Sequence, residues 1–99
     1  MIIYEVTLSV HNSIYEDYIK WLKKHITKML TFRGFHKHQL YKISSKNLNE
    51  TKLCVHYHIN SLEDLESYFD KYAEGMKTDG IKLFGDNFSA SRRILSSLE

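Results

Sequence analysis

Cys54, His56 and His58 occupy alternate positions in the run CVHYHI. In an extended strand such residues point the same way, spaced about 6.5–7 Å apart. Imidazoles so placed can carry protons near neutral pH or hold a metal ion. The neighbouring run over 35–44 decides which of the two chemistries is within reach. If it pairs so that Tyr41 lies opposite Val55 and Ile43 opposite Leu53, the apolar faces match and His38 falls opposite His58. His38, His56 and His58 could then converge on one ion at about 2.0–2.1 Å. A slip by one residue, or a bulge, would instead send His36 and His38 to the other face. No carboxylate is spaced to complete a recognisable ligand set, so metal binding stands as a second alternative and no metal ligand is assigned. The blander expectation is a semi-polar sheet face lined by heterocycles.

A second constellation lies near the N-terminus. Trp21 and His25 are one helical turn apart, on the same stripe as Tyr18, Leu22 and Met29. They would make a pocket wall between helix and sheet, with His25 as an acid–base group. The competing reading is ordinary packing with a half-buried histidine. Of Arg92 and Arg93, adjacent on an extended run, one must face away from the helices, as solvated charge or as an anion contact. No nucleophile–base–orienter set, phosphate-cradling glycine loop or catalytic carboxylate pair is present, and no cofactor is implied.

The elements that must position these residues follow from periodicity. Residues 2 to 10 alternate Ile2, Tyr4, Val6, Leu8 and Val10 against Ile3, Glu5, Thr7 and Ser9, a half-buried strand. Ser13 and Glu16 form a capping-box pattern that predicts a helix over about 13 to 31. Extended runs over 35–44 and 51–60 flank a polar loop and predict a hairpin. Ser61 and Asp64 repeat the capping signal before a second helix over about 62–77. Its stripe of Leu62, Leu65, Phe69, Tyr72 and Met76 is expected to be core. Asp79-Gly80 and Gly85-Asp86 predict a connection to a last strand over 87–96, with Phe88, Ala90, Arg92 and Ile94 on one face.

The order β-α-β-β-α-β predicts an α+β, ferredoxin-like domain over residues 1–99: a four-stranded antiparallel sheet with two helices on one face. The helices cover Tyr4, Val6 and Leu8 on the first strand and Val55, Tyr57 and Ile59 on the third. Glu5, Cys54, His56 and His58 then lie on the open face.

Bulk properties narrow the function classes. Ninety-nine residues support one core, and folding at this size buries only about 60–65% of the chain's surface. Fourteen basic against twelve acidic residues give too small a surplus to imply nucleic acid. The RNA-binding version of this sheet would display aromatic rings where this chain has Ile3, Glu5, Thr7, Cys54, His56 and His58. A lone cysteine makes no internal disulfide. The opening MIIYEVTLSV reads as a strand and not a leader, and no apolar run is long enough to span a bilayer. The expectation is a cytoplasmic protein with no membrane and no nucleic-acid partner.

Several segments carry a resemblance. MIIYEVTLSV, Trp21-Leu22-Lys23-Lys24-His25-Ile26, Gly34-Phe35, and the ending Phe84-Gly85-Asp86-Asn87-Phe88-Ser89-Ala90-Ser91-Arg92 are together similar to a bacterial family, domain of unknown function 4286. The matching positions are Trp21, His25, Phe88, Ala90 and Arg92. The chain departs from the family pattern at Thr27, where a proline follows the His-Ile pair. The resemblance implies a subunit of the dimeric α+β barrel type, in which two sheets pack face to face. The open face, with Glu5 and an arginine of the last strand, would then wall an internal chamber. The expected function is a homodimer that binds a small ligand or partner in or near that barrel. The ligand would contact residues among Glu5, Trp21, His25, His38, His56, His58 and Arg92. The alternative is a cofactor-independent monooxygenase or isomerase-like enzyme.

Overall fold

The alternating N-terminal run forms β1 (Ile2–His11), and a single 3-10 turn leads from it into α1 (Tyr15–Met29). The structure, a computed structural model, describes residues 1–99. The hairpin is β2 (Phe35–Ile43) and β3 (Glu50–Ile59), followed by α2 (Leu62–Lys71), α3 (Ala73–Phe84) and β4 (Phe88–Ser96). The strands form one antiparallel sheet in the order β2-β3-β1-β4. This is the ferredoxin-like arrangement, with β1 and β3 in the middle and the helices against one side.

Tyr4, Leu8 and Val10 of β1 and Leu53, Val55, Tyr57 and Ile59 of β3 are buried beneath Tyr18, Leu22, Ile26 and Met29 of α1. The centre of this core is aromatic. Tyr4 lies 6.3 Å from Tyr57 and 6.2 Å from Tyr68, ring centre to ring centre. Each such ring buries a large apolar area while keeping a hydroxyl that needs a polar neighbour or water.

Three expectations need correction. First, the predicted single helix over 62–77 is two helices, and the second runs through the expected Asp79-Gly80 turn. The break falls at Tyr72, whose backbone leaves helical geometry at φ −129°. Its ring stacks on Phe32 at 4.4 Å and 14°. Tyr72 still donates to the Tyr68 carbonyl and accepts from the Met76 amide, so its own helical hydrogen bonds persist through the bend. The core side comprises Leu65, Tyr68, Ala73 and Met76, while Leu62, Phe69 and Tyr72 are exposed.

Second, Ser13 does not cap α1. It lies in the 3-10 turn, where its amide donates to His11 Nδ1 at 3.1 Å. Ser61 does cap α2, accepting from the Asp64 amide at 3.2 Å.

Third, the hairpin register differs by one residue. Tyr41 pairs with Cys54, Gln39 with His56 and Lys37 with His58, after a bulge between Phe35 and Lys37. His38 therefore pairs with Tyr57 and belongs to the helix-side parity, away from His56 and His58. β2 is an edge strand with only Phe35 buried, so burial places little constraint on the rest of its pattern.

Candidate functional site

The sheet separates the expected site residues into two groups. On the helix side, α1, α3, β1 and β4, with side chains of α2 and β3, surround a half-open chamber of about 250 Å³ lined mainly by apolar and aromatic side chains. Its wall includes Trp21, His25, Phe88, Ala90 and Arg92. These are the five positions on which the family resemblance rests, although they come from opposite ends of the chain. Trp21 and His25 stack at 4.6 Å and 27°. Phe84 and Phe88, from the Phe-Gly-x-x-Phe tail, close on Tyr18 at 5.0 and 5.1 Å.

Gly80 is what allows α3 to come this close. A Cβ there would lie 3.0 Å from Trp21 Cη2 and 3.3 Å from Phe88 Cζ. The glycine weakens the helix and permits the close packing.

The chamber's polar groups are few. Burial lowers the pKa of His25 to about 4, with the Lys28 and Arg92 charges adding to the effect and Asp79 opposing it. The imidazole is therefore neutral at pH 7, able to accept a proton but not to act as a cation. Burial also raises the hydroxyls of Tyr4, Tyr18, Tyr57 and Tyr68 above the usual tyrosine range, with Arg92 partly offsetting it in each case. They remain protonated donors. An apolar chamber with a neutral base, hydroxyl donors and one guanidinium suits a planar ring system bearing oxygen substituents.

On the open face, Glu5 is the organising residue. It is 8% exposed and sits between His56 and Arg93, its partners in the adjoining strands. His56 Nε2 donates to Glu5 Oε2 at 2.8 Å, and Arg93 Nε donates to Oε1. The hydrogen bond from Arg93 is the main reason the Glu5 carboxyl titrates below its ordinary value; the bond from His56 acts the same way and burial acts against both. Arg93 is thus the arginine expected on this face, and Arg92 belongs to the chamber. His58 donates to Gln39 Oε1 at 3.2 Å, and its ring centre is 6.4 Å from that of His36.

The trio expected to share a metal, His38, His56 and His58, is not assembled, because the register puts His38 on the other side. Glu5, Cys54 and His56 do bring one donor atom each within 4.8 Å of one another. Both Glu5 oxygens are already engaged, and burial, the largest influence, raises the Cys54 thiol. The trio is accounted for as a hydrogen-bonded network.

Sequence reasoning missed Lys77, Gly80 and the tyrosine hydroxyls. Met76, Gly80 and Phe84 fall at helical spacing, a signal masked by reading Asp79-Gly80 as a turn.

Comparison with known proteins agrees with this fold. The sequence profile of Domain of unknown function (DUF4286) matches residues 1–98. No curated protein sequence matches the chain. Among solved structures, a dimeric ferredoxin-like protein from an uncultured marine organism superposes with a TM-score of 0.71 at 14% identity, covering 99% of this chain and 97% of the other. An ethyl tert-butyl ether d (ethd) family protein from Bacillus halodurans gives 0.70 at 13%, covering 99% and 100%. SnoaB from Streptomyces nogalater, a cofactor-independent oxygenase crystallised as a point mutant, gives 0.67 at 6%, covering 99% and 94%. At these identities the likeness is one of fold. No helix is long and apolar enough to cross a membrane.

Proposed function

The chain belongs to the DUF4286 family, and we propose that it binds a small planar aromatic molecule in the helix-side chamber and works as a homodimer closed through the open sheet face. One observation carries the ligand reading: Trp21, His25, Phe88, Ala90 and Arg92, the positions on which the resemblance rests, line a single half-open space. An apolar cavity of about 150 Å³ already accepts benzene. A chamber of about 250 Å³ has room for a larger, fused-ring ligand.

Gly80 supplies the test. In Gly80→Leu the new side chain meets Trp21 and Phe88 and is driven into the chamber. Gly75→Leu, on the same helix with nothing within 4 Å of its Cβ position, is the control. Calorimetric titration with naphthol is expected to show binding to wild type and Gly75→Leu, and at least about tenfold weaker binding, about 1.4 kcal/mol, to Gly80→Leu. Equal affinity in all three proteins would place the ligand elsewhere.

The neutral His25 favours a catalytic version of the same reading. A methylene made acidic by flanking phenolic rings can lose a proton to the imidazole. The carbanion passes its electrons to dioxygen and forms a C–O bond. The resulting peroxide regains the proton and expels water, so that one methylene and one dioxygen become one ketone and one water. Shared fold with a cofactor-independent oxygenase supports this version. It requires dioxygen uptake with anthrone that is lost in His25→Phe.

The dimer reading rests on the open face, where Tyr41 and Ile43 are 45% and 37% exposed, and on the dimeric state of a protein with the same fold. Burial, together with the Lys37, His36 and His56 charges, holds the His58 pKa below its ordinary value. A second sheet would press it lower. Since the dimer then prefers neutral imidazole, its stability is fully present above about pH 6.5 and falls as the solution is acidified. Sedimentation is expected to show a micromolar dimer at pH 8 that weakens toward pH 5, about tenfold in Kd for each imidazole whose pKa drops one unit on association. A monomer at pH 8, or a Kd that ignores pH, would remove this face from the interface.

A further inference from the structure

We infer that the ligand of the helix-side chamber carries an anionic group, a carboxylate or an ionised phenol or enol, seated at the rim between Arg92 and Lys77. The inference rests on the reading of the chamber as a ligand site and goes on to say which aromatic molecules it selects.

Arg92 of β4 and Lys77 of α3 both line the chamber, yet both are exposed residues. They therefore stand where the chamber meets solvent. A second, more open hollow shares Tyr4, Lys77 and Arg92 with the chamber and adds Phe69, Arg93 and Ile94. The two hollows meet at this pair of cations. The molecule's ion pairs are Arg33 with Asp64, His56 with Glu5, and Arg93 with Glu5. Neither Arg92 nor Lys77 takes part in one, and no aspartate or glutamate lines either hollow.

The neighbouring Arg93 shows the contrast. It has a dedicated carboxylate on the opposite side of the sheet, whereas Arg92 is left without one beside an apolar space. Its field reaches inward, lowering the titration of Tyr4, Tyr18, His25, Tyr57 and Tyr68 alike. With low-dielectric walls and no internal anion, that field favours a negative charge at the rim. A guanidinium offers a planar carboxylate two parallel donors, and a lysine adds a point charge. The ring system would then point inward toward Trp21 and Phe88. The uncharged His25 adds no competing cation, and a bound anion would strengthen it as a base.

Naphthoate and its neutral isostere naphthamide test this by calorimetry at low salt, with Arg92→Gln and Lys77→Gln compared with wild type. Thermal melts confirm that each variant is folded. Lys77 is exposed on a helix, so its variant is a second, structurally mild probe. Naphthoate is expected to bind wild type at least about tenfold more tightly than naphthamide, a preference that Arg92→Gln loses and Lys77→Gln reduces. Naphthamide affinity should fall less than naphthoate affinity in both variants, and added salt should weaken naphthoate the more steeply. Binding of both probes with equal affinity, unaffected by either substitution, would overturn the anionic handle and leave the aromatic ligand standing. Binding of neither probe to wild type would overturn the chamber reading and this inference with it.

Discussion

Replacing His25 by phenylalanine is expected to flatten the protein's loss of stability in acid. The folded chain holds this imidazole at a pKa of about 4, against an ordinary 6.5. Above pH 6.5 it is neutral both folded and unfolded and contributes no pH dependence. Between 6.5 and 4 the unfolded chain takes up a proton that the folded chain refuses, so stability falls as pH falls. The loss attributable to this residue is about 3 kcal/mol between pH 7.5 and pH 4, from about 1.4 kcal/mol per pKa unit. The relevant neighbours are Lys28 and Arg92, which oppose protonation, and Asp79, which favours it. Phenylalanine keeps a ring against Trp21 and removes the titration. Urea unfolding of both proteins at several pH values and one protein concentration gives the readout. Subtracting the two curves cancels the carboxylates, which titrate in both. Parallel curves would mean that His25 is solvated in the folded state and is no part of a dry wall. The same burial that makes the residue costly in acid keeps it a neutral proton acceptor at pH 7, so stability and chemistry report on one environment.

What could be read from sequence depended on how many sides of an element are covered. β1 and β3 have strands on both flanks and helices on one face, so only one parity of each is compatible with burial. Tyr4, Leu8, Val55, Tyr57 and Ile59 were accordingly legible, and with them the outward placement of Glu5, His56 and His58. β2 has one neighbouring strand and little cover. Tyr41 and Ile43 looked like its core side because they are apolar, but the bulge after Phe35 turns them to the open face, with Leu40 packed inward. The position of His38 followed that error. The second helix misled for a related reason. Asp-Gly is a turn signal when the glycine supplies unusual backbone angles. Gly80 has ordinary helical geometry and supplies the absence of a side chain beside Trp21. Trp21 and His25 were recognisable because one helix carries both. Lys77 and the tyrosine hydroxyls join Arg92 only in three dimensions, across the helices, β4 and the central strands.

Gly34→Ala is expected to be the most damaging small substitution, lowering stability by about 3 kcal/mol, with backbone strain alone accounting for about 1–3 kcal/mol. Gly34 has φ +84°, a left-handed conformation that side chains disfavour. A Cβ there would fall 2.3 Å from Asp64 Oδ2 and 2.6 Å from Asp64 Cβ. Rotating a carboxylate relieves the first contact but not the second, because Asp64 Cβ is fixed by the backbone of α2. Its amide is the one capped by Ser61, and its side chain pairs with Arg33 at 3.2 Å. The Gly34 carbonyl also accepts the Asn60 amide at 3.0 Å, joining the start of β2 to the end of β3. Relieving the clash must therefore move the helix start, the hairpin or both. For a domain of this size each kcal/mol lowers Tm by about 4–8 °C, so a fall of roughly 12–24 °C is the expected readout. Gly75→Ala, with open space around the new methyl, should instead raise Tm slightly, through better helix propensity and a less flexible unfolded chain. If both alanines left Tm unchanged, the junction of β2 with α2 would have to be looser than the Asp64 contact requires. The register that separates His38 from His56 and His58 would lose its anchor along with that junction.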